Sequence, residues 1–81
     1  MAASRQEVDE WIKFAKAEKN EYIISVCDTW YYDDFAVFCK DKEELLKEYP
    51  NHNGVNMEKV NEIILINING TVTENLSIYN L

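Results

Sequence analysis

The segment VNEIILINI, residues 60–68, is the most strongly β-favouring part of this 81-residue chain. Its isoleucine and valine side chains are branched and pack well on a pleated surface, and they stand at both odd and even positions. Because neighbouring side chains of a strand point to opposite faces, this pattern predicts a strand that is covered on both sides. We therefore expect residues 60–68 to form a central strand.

The residues that follow this segment contain a turn signal. Asn69 and Gly70 are the residue types that a type I′ hairpin turn needs, because both of its central positions have positive φ. Residues 71–79, TVTENLSIY, alternate poorly between apolar and polar side chains. We expect residues 71–81 to be either an edge strand or a loosely held tail.

Two further β-rich runs precede residue 41 and predict an antiparallel hairpin. They are EYIISVC at residues 21–27 and FAVFCK at residues 35–40, and the connection between them is short. Cys27 and Cys39 lie in these runs, and the sequence leaves open whether they face each other. Two cysteines without metal-binding spacing are interpreted as small buried thiols of a reducing cytosol.

The start of the chain carries the signals of an amphipathic helix. Ser4 and Glu7 form a capping box, which satisfies free backbone donors at a helix start and predicts a helix over residues 5–18. Its apolar side chains recur with the i, i+3, i+4, i+7 spacing of one helical face. This stripe consists of Val8, Trp11, Ile12 and Ala15.

A second, shorter helix is predicted after the hairpin. Asp41 and Glu44 repeat the capping pattern before an apolar stripe in KEELLKEY. Pro50 and the polar residues 51–54 are expected to end this helix. Residues 55–59 are predicted to form one more helical turn, with Met57 facing inward.

These elements predict one α+β domain over residues 1–81. The order is α-β-β-α-β-(β), with a three- or four-stranded, mainly antiparallel sheet and the helices packed on one face. The predicted core is apolar and drawn from every element. It consists of Val8, Trp11, Ile12, Ile24, Val26, Val37, Leu45, Ile64 and Ile66.

The charge balance limits the classes of partner. The chain has 15 acidic and 8 basic residues and a net charge of −7, which disfavours direct binding to a phosphate backbone and favours a basic protein surface. The opening MAASRQEVDE lacks the apolar core of a secretory signal, so we expect a cytoplasmic protein. The longest apolar run, residues 63–66, is far below the roughly 20 residues of a membrane span, so no membrane association is expected.

Catalytic motifs are not found in the sequence, and we expect no catalytic residue, no cofactor and no metal. His52 is the only histidine, and its polar surroundings favour a solvated turn residue. Gly54 and Gly70 are the only glycines, too few for a phosphate-binding loop. The alternative of a divalent cation held by Asp28, Asp33 and Asp34 fits the oxygen preference of hard cations, but their spacing matches no established loop.

The segment CDTWYYDDF, residues 27–35, is the candidate binding site. No lysine or arginine occurs from residue 20 to residue 39, so its carboxylates have no local counter-charge. In one interpretation Trp30 or Tyr32 packs under the hairpin and the aspartates form the turn. In the other, exposed rings rimmed by carboxylates bind a basic protein. The predicted partner-binding residues are Asp28, Trp30, Tyr31, Tyr32, Asp33 and Asp34.

A resemblance adds a biological setting to this surface. SVCDT, the acidic and aromatic connection, FAVFC and NGVNMEKVNEI together resemble small uncharacterised acidic accessory proteins of phages and mobile elements, over residues 7–66. Such proteins are often accessory factors, including inhibitors of bacterial host defences, and many of those inhibitors are short, acidic and non-enzymatic. The resemblance implies an inhibitor of a host defence protein that acts by occluding a basic, nucleic-acid-binding surface.

A different class of function stays open, namely an oligomer that sequesters a nucleotide-like small molecule between copies of the chain. The aromatic cluster could stack on a base. Because Arg5 is the only arginine, more distant lysines would have to neutralise an anionic ligand. The candidates are Lys40, Lys42 and Lys59.

Overall fold

Residues 60–66 lie in an inner strand of the sheet, as predicted, and residues 67–68 lie outside the described residues. The computed structural model describes residues 4–66 and 72–76. Its elements are α1 (Arg5–Ala17), β1 (Tyr22–Asp28), β2 (Asp33–Cys39), α2 (Lys42–His52), β3 (Glu58–Ile66) and β4 (Val72–Thr73). The strands form one antiparallel sheet in the order β2-β1-β3-β4, which confirms the α+β class and the predicted order of elements. The Asn69–Gly70 turn lies outside the described residues.

β1 and β2 form the predicted hairpin, and their register separates the two cysteines. Cys39 lies opposite Tyr22, whereas Cys27 lies opposite Asp34. The positions of Tyr22 and Cys27 along β1 are about 16 Å apart at 3.3 Å per residue, and they point to opposite faces. Because a disulfide needs Cα atoms within about 7 Å, these two buried, free thiols cannot pair in the folded chain.

The two helices lie on opposite faces of the sheet, which corrects the prediction that both pack on one face. α1 buries Val8, Ile12 and Ala15 against one face, and α2 buries Leu45 against the other. The reason is visible in β1, where the neighbours Ile23 and Ile24 are both completely buried. Since they point in opposite directions, each face of the sheet needs its own helix.

The predicted core is largely confirmed. Trp11 and Val37 are only half-buried, while the other seven predicted residues are buried. α1 starts as predicted, because the Ser4 hydroxyl accepts a hydrogen bond from the Glu7 N–H at 3.2 Å. It ends one residue before the predicted boundary, where Lys19 has positive φ and the Asn20 N–H donates to the Ala15 carbonyl.

α2 ends within the polar residues 51–54, as predicted, but Pro50 lies inside the helix and does not itself end it. The helix starts where Asp41 accepts a hydrogen bond from the Glu44 N–H at 2.9 Å, and it continues through Pro50 to His52. Proline has the φ of a helix, but it lacks the N–H donor and its ring crowds the carbonyl four residues earlier, and α2 extends only two residues beyond it. The side-chain amide of Asn51 donates to the Lys47 carbonyl at 3.3 Å and supports that turn.

Residues 55–59 do not form a helical turn, and Met57 does not face inward. Asn56 and Met57 both have positive φ, β3 begins at Glu58, and the Met57 side chain is 57% exposed. Consecutive left-handed residues cannot continue a right-handed helix. At the other end of β3, residues 72–76 are the described part of the predicted edge strand or tail, and the first two of them form the strand β4.

Candidate functional site

The connection between β1 and β2, residues 29–32, is held in a defined shape by its own hydrogen bonds; we call it the aromatic turn. The Asp28 carboxylate accepts hydrogen bonds from the backbone N–H groups of Trp30 at 2.9 Å and Tyr31 at 3.3 Å. The Thr29 N–H and hydroxyl both donate to the Met57 carbonyl, each at 2.7 Å. The turn is therefore anchored at its start by Asp28 and sideways by the loop before β3.

All three rings of the aromatic turn are in contact with solvent. Trp30 is 63%, Tyr31 76% and Tyr32 69% exposed. The interpretation in which Trp30 or Tyr32 packs under the hairpin is therefore wrong. Three consecutive rings are therefore exposed on an anchored turn, and tryptophan and tyrosine are enriched at protein interfaces.

The backbone of Tyr32 is strained, although its ring is largely exposed and adds little to the core. Its φ is 55°, in the left-handed region that favours glycine or asparagine. A non-glycine residue there costs on the order of 1–2 kcal/mol. Strain at an exposed aromatic residue is typical of positions that are kept for a function other than stability.

Three carboxylates lie side by side across the sheet beneath the aromatic turn. Asp28 of β1 is directly opposite Asp33 of β2 on one side and Glu58 of β3 on the other. Like charges at directly opposed positions destabilise a sheet. Asp28 is partly compensated by the two backbone N–H groups, and Glu58 by His52, whereas Asp33 is exposed.

Asp34 does not belong to the exposed rim, although it was predicted to. Both of its carboxylate oxygens are buried, and among the described residues they have no hydrogen-bond partner apart from the adjacent Cys27 thiol. It lies directly opposite Cys27. Burial, and then the adjacent Asp34 carboxylate, raise the pKa of the Cys27 thiol, so this cysteine is held as a neutral thiol.

His52 is not a solvated turn residue, which corrects its interpretation. It is the last residue of α2, is half-buried, and lies 2.7 Å through Nδ1 from a Glu58 oxygen. Its Nε2 atom is 3.6 Å from Glu48, and its ring meets the edge of Phe35 with centroids 6.0 Å apart. These contacts connect α2, β2 and β3 behind the aromatic turn.

An apolar extension of this surface was not predicted. Met57 and Val55, which is 43% exposed, lie in the loop whose carbonyl accepts the two Thr29 hydrogen bonds. This neighbourhood depends on the pairing of β1 with β3 and has no local signal in the sequence. The candidate site therefore consists of Trp30, Tyr31, Tyr32, Asp33 and the loop of residues 53–57.

The groups needed for a metal do not come together near this turn. In the described chain, no three histidine, cysteine or acidic side chains form a metal-ligand group. Of the cations considered for an anionic ligand, Lys59 lies on β3 directly opposite Cys27, whereas Lys40 follows the far end of β2 and Arg5 is paired with Asp9 and Glu74. The shallow depression on α2 is lined by Lys47 and four carboxylates, a poor setting for a phosphate. It is formed by Asp41, Glu43, Glu44, Lys47 and Glu48.

Comparisons of the chain with protein-family models, curated proteins and solved structures find no match. The resemblance to phage accessory proteins therefore stays a prediction. None of the helices in residues 4–66 and 72–76 has the length and apolar character needed to cross a membrane.

Proposed function

We propose that this protein is a non-enzymatic acidic binding module whose aromatic turn docks on a basic protein surface. The observation that carries this proposal is the exposure of Trp30, Tyr31 and Tyr32, each above 60%, on a turn held by four hydrogen bonds. An anchored turn loses little conformational entropy on binding, so its rings can contribute most of their contact energy.

The charges around the turn support a basic partner. Asp33 is exposed beside Asp28, and no lysine or arginine occurs in residues 20–39. A cationic surface would relieve the repulsion between the aligned carboxylates while the rings cover its apolar parts. In the setting implied by the resemblance, the partner is a host defence protein, and the acidic surface occludes the site where that protein binds nucleic acid.

The cysteine and histidine environments support a binding role rather than catalysis. Burial raises the pKa of Cys39 to about 12, and the pKa of Cys27 is also raised, so neither is an activated nucleophile. The polar contacts of His52 are to Glu48 and Glu58, so no nucleophile–base pair is formed within the described residues. A screen with hydrolase and nuclease substrates should detect no turnover, and turnover abolished by His52→Ala would contradict the proposal.

The binding site is tested by capture from a bacterial host lysate with matched variants. Trp30→Ala should weaken the captured complex by at least about 2 kcal/mol, as truncation of an interface hot spot does. Asp33→Lys should weaken it as well, whereas Glu43→Lys makes the same charge change on α2 and should not. Loss of capture with Glu43→Lys alone would place the interface on α2 instead.

The mode of action is tested with the captured protein and its nucleic acid. Adding the wild-type chain in stoichiometric amount should displace bound DNA or RNA, and Trp30→Ala should not displace it at the same concentration. If captured protein and nucleic acid form a ternary complex with this chain, occlusion is not the mechanism. Calorimetry with free nucleotides should show no binding, and a saturable signal would favour the small-molecule alternative.

A further inference from the structure

The outer edge of β2, seven residues long and beginning at the aromatic turn, is unpaired in the described sheet, because β2 is the first strand of the order β2-β1-β3-β4. Proteins normally protect such edges with charged side chains, above all lysine, with inward-pointing charges, with proline or with a bulge. In β2, DDFAVFC, the charges are confined to Asp33 and Asp34 at its start. Residues 35–39 have no charged residue and no proline, and the register shift of the sheet lies between β1 and β3.

The direction of the free backbone groups follows from the hydrogen bonds of β1. The Thr29 N–H donates to the Met57 carbonyl, and the Ile66 N–H donates to the Glu21 carbonyl. The backbone N–H and C=O groups of odd-numbered residues in β1 therefore point toward β3. The backbone groups of even-numbered residues in β1 point toward β2, where they pair with odd-numbered residues of β2. By alternation, the N–H and C=O groups of Asp34, Ala36 and Phe38 point outward.

The edge is bordered by apolar side chains. Phe38 is half-buried and its ring lies 4.8 Å from that of Phe14, which is 51% exposed on α1. Phe35 and Val37 are half-buried on the opposite face. An additional strand would thus find apolar contacts on both faces as well as free backbone groups.

The charge of this region determines which strand fits. The edge begins at Asp33, and lysine and arginine are absent from residues 20–39. A second copy of this chain would bring another net charge of −7 to the same edge. A cationic segment, in contrast, gains electrostatic attraction at the end that lies beside the aromatic turn.

We propose that the basic partner inserts an extended segment along the edge of β2, as a fifth strand of the sheet, with arginine or lysine residues beside Asp33. This inference rests on the proposed function and names the form of the recognised segment. The aromatic turn then contacts the residues that flank the segment. Affinity comes from main-chain pairing, and selectivity comes from the flanking positive charges.

The peptide Arg-Arg-Val-Thr-Val-Thr-Val-Arg-Arg is the probe, and a copy with its central amide nitrogens methylated is the matched control. Methylation removes the main-chain donors and keeps the charge. By fluorescence anisotropy the methylated peptide should bind at least about tenfold more weakly, since each lost hydrogen bond contributes a factor of several. A peptide with glutamate in place of arginine should not bind.

The matched protein variants are Ala36→Pro and Ala36→Val. Proline removes one outward N–H without removing a bond to β1, while valine keeps the N–H and favours a strand. Ala36→Pro should weaken peptide binding about tenfold and Ala36→Val should not. If Ala36→Pro does not fold, the methylated peptide with the wild-type chain decides.

The two proposals fail in different ways. Suppose that the arginine peptide and its methylated copy bind with equal affinity and that Asp33→Lys weakens the binding of both. The basic-surface proposal then stands and the edge proposal is overturned. If the glutamate peptide binds as tightly as the arginine peptide, the proposed function loses its basis in charge. The edge proposal is overturned if the arginine peptide does not bind. It is also overturned if the chain dimerises and Ala36→Pro abolishes the dimer.

Discussion

Replacing Tyr32 measures how much the strained backbone of the aromatic turn lowers the free energy of unfolding. Its φ of 55° suits glycine, and its ring is largely exposed, so Tyr32→Gly should leave the free energy of unfolding unchanged or raise it by up to about 1 kcal/mol. Tyr31→Gly, at an exposed position without positive φ, should lower it by about 0.5–1 kcal/mol. Urea denaturation compares the two. Equal losses would mean that the left-handed conformation carries no strain.

Asp34 is a second residue whose charge works against the fold. Both carboxylate oxygens are buried, and apart from the adjacent Cys27 thiol they have no hydrogen-bond partner in the described chain, so this buried charge is poorly compensated and costly. Asp34→Asn should therefore raise the free energy of unfolding by about 1 kcal/mol or more. Asp33→Asn, at the adjacent exposed position, is the control and should have little effect. A loss of stability specific to Asp34→Asn would show that the carboxylate has a stabilising partner.

Individual residues were predictable from sequence where their environment is local. The caps Ser4 and Asp41 act within one helical turn, so their roles can be predicted without knowing the fold. His52 and Asp34 could not be assigned in this way. The environment of each depends on a residue of another strand, Glu58 for His52 and Cys27 for Asp34.

At the scale of elements, the packing of α1 on the sheet should depend more on Ile64 of β3, beneath the helix, than on Trp11 of α1. Trp11 is half-buried, so Trp11→Ala should cost about 2 kcal/mol, below the 3–5 kcal/mol of a fully buried ring. Ile64→Ala removes a completely buried side chain beneath α1 and should cost about 3–4 kcal/mol. Chemical denaturation gives both values. A larger loss for Trp11→Ala would mean that its ring belongs to the core.

Glu62 of β3 makes stability depend on pH. Burial, and then the charge of Glu74, raise the pKa of Glu62 above its ordinary value of 4.5. The folded chain therefore binds this proton more tightly than the unfolded chain does. The stabilising contribution is present in acid, below the unfolded pKa, and is lost as the pH rises through the folded pKa.

Glu62→Gln should consequently be more stable than the wild type at pH 7, and the difference should shrink as the pH falls through the folded pKa toward 4.5. Thermal unfolding across this range measures the difference. Glu10→Gln, on the exposed face of α1, is the control for the loss of one negative charge. A difference that grows in acid would contradict the assigned direction of the pKa shift.

Elements were predictable as far as periodicity and caps define them, and their placement was not. The pattern of α1 predicts one apolar face but does not say which side of the sheet that face covers. The additional helical turn predicted at residues 55–59 is wrong, because Asn56 and Met57 adopt left-handed conformations. Neither residue is a glycine, which would have indicated such a conformation. Likewise, a proline in a final turn has the same sequence signature as a proline that ends a helix.

At the scale of the whole molecule, the candidate site joins residues that are distant in sequence. The aromatic turn was identifiable from its composition, because three consecutive rings in a short connection cannot all be buried. Its neighbour Met57 was not, since the two meet only through the pairing of β1 with β3. The exposed edge of β2 likewise depends on the order of strands in the finished sheet.

The net charge of −7 should influence the rate of encounter with a basic partner. At about 0.1 M salt the Debye length is about 10 Å, so charges close to the interface steer association more than distant ones. The association rate of the wild type should therefore fall as salt rises, and Asp33→Lys should flatten this dependence.

Glu43→Lys changes the net charge equally, from −7 to −5, but lies on α2 and should keep a slope near that of the wild type. Stopped-flow or surface-binding kinetics with the captured partner measure the slopes. Equal slopes for the two variants would mean that the overall charge, rather than the aromatic turn, directs the encounter.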